Sequence, residues 1–95
     1  MNTIHYKHKV DVNQKEIVQV IRKAGGLVQI LSMVGGGVFD LLVLFRGDLY
    51  LIEVKDGKNG LTDAQERFYA EWGSCARVGV VRSPDEALKF IGAIK

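Results

Sequence analysis

Two strongly apolar segments, separated by one short polar turn, dominate the middle of the chain. Together they form FDLLVLFRGDLYLIEVKDG, residues 39–57. Each segment has the length of a β-strand. Gly47-Asp48 between them is a favoured two-residue hairpin loop, with glycine first as a type II′ turn requires. The stretch therefore predicts a hairpin that is apolar on both faces, as in a sheet with layers on each side.

Helical and strand patterns on either side of the hairpin complete an α/β fold. Ser83 is predicted to cap the last helix with Glu86 closing a capping box, and its apolar residues through Ile94 are expected to face inward. The predicted elements are a helix over 13–24, strands over 27–34, 38–45 and 49–55, a helix from the N-cap Thr62 to Trp72, a strand over 77–81 and a helix after Ser83. The order αβββαβα predicts a mixed sheet flanked by helices, in one domain over residues 1–95.

Length and composition limit the class of protein. With 95 residues and a net charge of +2, the chain has a small core, so self-association is expected, but its charge alone does not identify a nucleic-acid partner. The single cysteine, Cys75, cannot form an internal disulfide, which favours a reducing, cytoplasmic compartment. The basic N-terminus is not followed by a signal-peptide core. Gln29, the glycines at 35–37 and Asp40 interrupt the apolar run over 27–45 and argue against a membrane span.

Pairing across the predicted turn brings three charged residues together. Counting back from the loop places Leu42 opposite Glu53, and Asp40 opposite Lys55 and diagonal to Glu53. Because strand side chains alternate, the three charges share one face. A three-residue loop would reverse the faces unless a bulge restored them. The alternative interpretation is an ion pair between Asp40 and Lys55, with Glu53 solvated at the end of the sheet.

The three charges suit metal-assisted hydrolysis. Two carboxylates that converge beside a main-chain carbonyl are ligands for a hard cation such as Mg²⁺. A neighbouring lysine can orient or deprotonate a water molecule and can stabilise a developing negative charge. A lone buried carboxylate would carry a large desolvation cost, which such a cation would offset.

These residues, in this order along the chain, resemble the VRR-NUC branch of the PD-(D/E)XK nuclease superfamily. The resemblance is carried by Asp40, by the Glu53-Val54-Lys55 motif, and by the segments VGGGVFDLLVLF, GLTDAQERFYAEW and ARVGVVRSPDEALKFI. It extends from Glu16 to Ile91. It implies a restriction-endonuclease-like fold with an αβββαβα core.

The resemblance also implies roles for individual residues. Asp40 and Glu53 resemble the metal-binding carboxylates, with the Val54 carbonyl as a further ligand. Glu16 matches an acidic residue of the first helix that completes the metal site, directly or through water. Phe39 departs from the superfamily pattern, because it stands where the name has proline.

Lys55 resembles the catalytic lysine, and Gln65 resembles a glutamine carried near the site by the following helix. Two of these assignments have purely structural alternatives. Glu16 is the fourth residue of a possible capping box that starts at Asn13, and Gln65 has the same relation to Thr62.

The position of Gln65 on its helix favours a functional role. It lies among Phe68, Tyr69 and Trp72 on a helical wheel, and a polar amide on an apolar face needs hydrogen-bond partners. Tyr69 and Trp72 are themselves expected in the core rather than as stacking platforms for bases.

The sequence therefore predicts a Mg²⁺-dependent DNA endonuclease, in which Mn²⁺ is expected to substitute. Similarity to small VRR-NUC proteins implies branched DNA, such as a four-way junction, as the substrate. Such a substrate suits a homodimer, and Phe90 is a candidate for its interface. The rival hypothesis is a catalytically silent nucleic-acid-binding or assembly protein of the same fold. A nuclease assay with and without Mg²⁺ separates the two.

Overall fold

The described part of the chain folds as three helices and a four-stranded sheet in the predicted order. The computed structural model describes residues 2–74 and 77–95, and side chains for 12–74 and 77–95. Cys75, on which the expected reducing compartment rests, lies outside the described residues. The elements are α1 (Asn2–Lys23), β1 (Leu27–Ile30), β2 (Leu41–Phe45), β3 (Asp48–Val54), α2 (Asp63–Trp72), β4 (Arg77–Val81) and α3 (Pro84–Phe90). The predicted αβββαβα order and mixed α/β sheet are confirmed.

One face of the sheet carries the main hydrophobic core. The strands lie in the order β1-β2-β3-β4, with antiparallel pairs except between β3 and β4, which are parallel. Helices α1 and α3 pack together on this face. Ile17 and Ile21 of α1 are fully buried against Leu41 and Ile52 of the sheet. Among the described residues, no helix is long and apolar enough to span a bilayer.

The opposite face is covered only in part. Helix α2 meets this face beside Glu53, whereas Leu27, Leu44 and Leu49 remain 68%, 38% and 56% exposed. These three leucines and the half-buried Leu42 border a shallow cavity of about 170 Å³. Helices therefore lie on both faces of the sheet, as expected, but the half of this face over β1 and the hairpin end is left open.

The hairpin turn lies one residue earlier than expected. Phe45 pairs with Asp48, so Arg46 and Gly47 form the loop. Their φ angles of 51° and 86° are both positive, as a type I′ turn requires. This conformation is unfavourable for arginine. The Arg46 guanidinium lies 4.7 Å from the centroid of the Phe45 ring, where a cation–π contact helps to offset that cost.

This change of turn alters the partners across the hairpin but keeps the faces. Leu42, expected opposite Glu53, lies opposite Leu51 instead. Continuing the same register beyond the last pair places Asp40 opposite Glu53 rather than opposite Lys55. Because the loop still contains two residues, the alternation of faces is unchanged, and all three charges remain on one side of the sheet.

The connection between β1 and β2 is longer than the sequence predicted. Strand β1 ends at Ile30 and β2 begins at Leu41, so apolar residues at both ends of the connection belong to turns instead of strands. Gly37 has a φ of 83°, and a Cβ atom there would lie 2.5 Å from the Ala64 carbonyl oxygen of α2. Glycine at this position therefore permits the connection to approach α2 closely.

Helix α1 begins at Asn2 rather than at Asn13. Asn13 consequently lies inside the helix, and its proposed N-capping role is wrong. Its Nδ2 instead donates hydrogen bonds to the main-chain carbonyls of Lys55, 3.1 Å away, and Arg82, 3.2 Å away. One side chain of α1 therefore joins the ends of β3 and β4.

The last helix follows its predicted cap with two differences. Ser83 accepts a hydrogen bond from the Glu86 amide, but the Glu86 carboxylate accepts from the Arg82 amide, one residue before the cap. Helix α3 ends at Phe90, and Ile94 is 42% exposed rather than inward. Phe90 packs edge-to-face on Tyr50, with ring centroids 5.6 Å apart, so the monomer itself accounts for this residue.

Replacing Asn13 with aspartate tests its role inside the helix. Asn13→Asp removes the donor and places a carboxylate near two carbonyl oxygens, so we expect a loss of about 1–3 kcal/mol in the free energy of unfolding. An N-cap would tolerate this change, because aspartate caps as well as asparagine does. Urea unfolding measures the difference. Gln19→Glu, the same amide-to-carboxylate change at an exposed position of α1, serves as the control and should have little effect.

Candidate active site

Asp40, Glu53 and Lys55 line one open cavity of about 400 Å³. The cavity lies where β3 ends and β2 begins. The other residues that line it are Val54, Asp56, Asn59 and Gly60. The predicted convergence of the three charged residues is therefore present, although it arises from a register different from the expected one.

The backbone of β3 fixes Asp40. The Val54 amide donates a 2.9 Å hydrogen bond to Asp40 Oδ2, across the gap between the two strands. On the other side, the Asp40 carbonyl accepts from the Leu31 amide at 2.6 Å. Asp40 is held from both neighbouring chain segments, which orients its carboxylate toward the cavity.

Glu53 is the only buried charged residue among those described, with 3% of its surface exposed. Its Oε2 accepts a 2.8 Å hydrogen bond from Gln65 Nε2 and lies 3.5 Å from Lys55 Nζ. Its Oε1 is buried and has no hydrogen-bond partner among the residues that the structure describes. The ion pair of Lys55 is with Glu53 rather than with Asp40, so the simple cross-strand salt bridge is not what the structure contains.

The surroundings of Glu53 disfavour its ionised form. Burial, followed by the charge of the neighbouring Asp40 carboxylate, raises the pKa of Glu53 to about 7, although Lys55 acts in the opposite direction. Two carboxylates placed side by side, one of them desolvated, favour either a shared proton or a bound cation. The unpartnered Oε1 is a free ligand atom for such a cation.

Gln65 combines the two roles that the sequence left open. Its Oε1 accepts a hydrogen bond from the Thr62 amide at 3.0 Å, and Thr62 Oγ1 accepts from the Gln65 amide at 3.2 Å, so the capping box is present. The Nε2 atom of the same side chain donates to Glu53. Because the cap fixes one end of the amide, the other end is directed at the carboxylate.

The aromatic residues of α2 do not form a buried core. Tyr69 and Trp72 are 41% and 50% exposed, so their expected core position is wrong, and α2 has no buried residue. The buried ring of Phe39 contacts Phe68 and Tyr69, with centroids 5.1 and 6.1 Å apart. The helix is therefore attached beside the site through one aromatic side chain, the close approach at Gly37 and the bond from Gln65.

Glu16 is not brought into the cavity. It is exposed on α1 and does not line the cavity. Within residues 12–74 and 77–95, no three acidic, histidine or cysteine side chains form a cluster suited to a metal. Asp40 and Glu53 interact directly with each other, and this pair is a donor set that fits Mg²⁺, since this ion is commonly held by one or two carboxylates.

Sequence reasoning missed the residues that build the remaining wall. Asp56, Asn59 and Gly60 belong to the polar loop that directly follows β3, and their position after Lys55 was the available signal. Asn13 and Arg82 hold this region through bonds to main-chain carbonyls. No pattern in the sequence indicates such contacts, because they join segments that are far apart along the chain.

The raised pKa of Glu53 predicts that the metal-free protein loses stability with rising pH. A carboxyl group whose pKa is about 7 when folded and 4.5 when unfolded contributes stability below about pH 4.5, and this contribution is lost as pH rises through 7. Glu53→Gln should therefore stabilise the protein by about 1–3 kcal/mol near pH 8 and change little near pH 4. Urea unfolding in EDTA measures this. A variant less stable than wild type near pH 8 would contradict it.

The fold and site can be compared with known proteins. No model of a known family matches the chain, and no curated protein matches it. A solved structure described as "VRR_NUC domain" matches with a TM-score of 0.74 and 36% sequence identity, over 87% of this chain and 94% of that one. This likeness extends over nearly all of both chains at substantial identity. The chain belongs to the VRR-NUC family of the PD-(D/E)XK nuclease superfamily.

Proposed function

We propose that this chain is a Mg²⁺-dependent endonuclease that hydrolyses DNA phosphodiester bonds. The observation that carries the proposal is the free Oε1 of Glu53, buried beside Asp40 in a cavity that also holds Lys55. A buried carboxylate oxygen without a donor is costly in a protein that has no ligand for it. A divalent cation offsets that cost and supplies the chemistry that a nuclease needs.

Asp40, Glu53 and the Val54 carbonyl are the groups proposed to hold the ion. Mg²⁺ retains several waters and takes oxygens from substrate phosphates, so two carboxylates are sufficient. When bound, it would polarise a phosphoryl oxygen and lower the pKa of a water molecule. Mn²⁺ also accepts such oxygen ligands and is proposed to substitute. Glu16, exposed on α1, is proposed to act through water only.

Lys55 and Gln65 are proposed to act on the charges of the reaction. Lys55 Nζ, 3.5 Å from Glu53 Oε2, would donate to the phosphate oxygens as negative charge builds on them. Gln65 fixes the rotation of the Glu53 carboxylate by occupying Oε2, so that Oε1 is the oxygen left for the cation.

Removal of either carboxylate should abolish cleavage. Asp40→Ala and Glu53→Ala are each expected to lower the Mg²⁺-dependent rate by at least about 100-fold while the protein remains folded. The assay compares linear duplex, single strand, flap and four-way junction DNA, and the junction should be cut fastest. Asp48→Ala, which removes an exposed carboxylate at the other end of β3, is the control. Wild-type rates in either site variant would refute the proposed site.

Lys55→Ala separates catalysis from binding in the same assay. It should remove cleavage but leave DNA affinity within about a few-fold of wild type, because phosphate contacts elsewhere dominate affinity. Loss of DNA binding in this variant would count against a chiefly catalytic role for the lysine.

We further propose that the enzyme acts as a homodimer, because coordinated cuts in two strands of a junction need two sites. A two-fold axis supplies them most simply. The exposed leucines of the open sheet face, Leu27, Leu44 and Leu49, are the surface proposed for the contact. They replace Phe90 as the candidate, since the Phe90 ring is packed against Tyr50 within the monomer.

A charge on the open sheet face should dissociate the dimer. Light scattering is expected to give twice the chain mass of 10.5 kDa for the wild type and the single-chain mass for Leu49→Glu. Met33→Glu, at a residue that is 96% exposed in the β1–β2 connection, should leave the dimer intact. A wild-type mass near 10.5 kDa, unchanged by junction DNA, would exclude the dimer and favour a nicking enzyme.

A further inference from the structure

The loop of residues 56–60, which follows β3, forms one wall of the cavity. Asp56, Asn59 and Gly60 line it beside the two carboxylates and Lys55. A 3.3 Å hydrogen bond from the Asn59 amide to the Asp56 carbonyl closes the turn of this loop. Gly57, within the turn, has a positive φ of 56°. A loop with so few internal bonds needs contacts from outside to keep one conformation.

Arg82 supplies those contacts. Its Nε donates to the Gly57 carbonyl at 2.9 Å and its Nη2 donates to the Asn59 carbonyl at 2.6 Å. The planar guanidinium therefore fixes two carbonyls of the loop at once, which a lysine ammonium could not do with the same geometry.

The backbone of Arg82 is itself anchored. Its amide donates to Glu86 Oε1 at 2.8 Å, and its carbonyl accepts from Asn13 Nδ2 at 3.2 Å. The same Asn13 amide group bonds to the carbonyl of Lys55, the residue that leads into the loop. Helices α1 and α3 thus hold both the start of the loop and the arginine that shapes it.

The loop presents an uncommitted hydrogen-bonding side chain to the cavity. Asn59 is exposed and lines the cavity, and its side-chain amide has no hydrogen bond within the described part of the chain. Arg82 directs both of its bonds to carbonyls and has no ion pair among the described residues, so its charge is used to build the loop. The neighbouring Lys58 is exposed and does not line the cavity.

We propose that the loop is the wall that binds the substrate backbone: Asn59 Nδ2 donates to a phosphate oxygen of the DNA strand beside the scissile bond, and Arg82 is the positioning residue that holds Asn59 there. The inference rests on the proposed nuclease function. Because the amide is neutral, the contact releases no counterion, so it adds affinity without adding to the salt dependence of binding. Lys58, by contrast, contributes to affinity through its charge and therefore adds to the salt dependence of binding.

Binding of a fluorescein-labelled four-way junction in EDTA tests the proposal. Asn59→Ala should weaken binding about tenfold with an unchanged slope of log affinity against log salt. Lys58→Ala should lower the slope by about one.

Arg82→Ala should weaken binding about as much as Asn59→Ala, with no further loss in the double variant, and Arg82→Lys should recover part of the loss. Arg77→Ala removes an arginine at the opposite end of β4 and should have no effect.

Cleavage kinetics provide the second measurement. Asn59→Ala should raise KM about tenfold and leave kcat within about twofold, because the phosphate contact is the same in the ground and transition states. Affinity and KM within twofold of wild type in Asn59→Ala, or multiplicative losses in the double variant, would overturn the proposal. If Arg82→Ala does not fold, the exposed-loop variant Asn59→Ala decides alone. Absence of any wild-type cleavage would refute the nuclease function, and the binding comparison would still test the loop.

Discussion

The register of the β2–β3 hairpin determines whether the site exists. Side chains alternate along a strand, so a slip of one residue would turn Asp40 or Glu53 toward the core face occupied by α1 and α3. The left-handed conformation of Arg46 and Gly47 fixes the turn, and the turn fixes the pairing. A local backbone preference at one end of the hairpin therefore places two carboxylates side by side at the other end.

The arrangement that results is costly for the protein without a ligand. Glu53 is buried next to a second carboxylate, and its two neighbouring donors, Lys55 and Gln65, both approach the same oxygen. One desolvated oxygen therefore has no hydrogen-bond donor among the described residues, which is the feature that supports the proposed cation site. If Glu53 holds a cation as proposed, function and stability compete at this residue, as is common where a site is preorganised for a charged ligand.

The fold was predictable from the sequence because the apolar periodicities, the glycines and the caps at Thr62 and Ser83 act locally. The placement of the three charges on one face was also predictable, since any two-residue loop in this hairpin keeps the same alternation of side chains between the two faces. The position of the turn was not, because it depends on an arginine that adopts an unfavourable φ. The capping alternative for Asn13 was wrong, because its side chain bonds to two carbonyls just beyond the ends of β3 and β4, and nothing in the local sequence indicates such distant partners.

The weak packing of α2 against the rest of the fold has a consequence for the dynamics of this helix. The helix buries none of its residues, yet it carries the Gln65 amide that orients Glu53. Segments with little buried apolar surface open at a fraction of the global unfolding free energy. Detachment of α2 would therefore release the carboxylate while the sheet stays intact. For the proposed nuclease, the fraction of molecules in which Gln65 orients Glu53 would then depend on the local opening equilibrium of α2, separately from the population of the folded state.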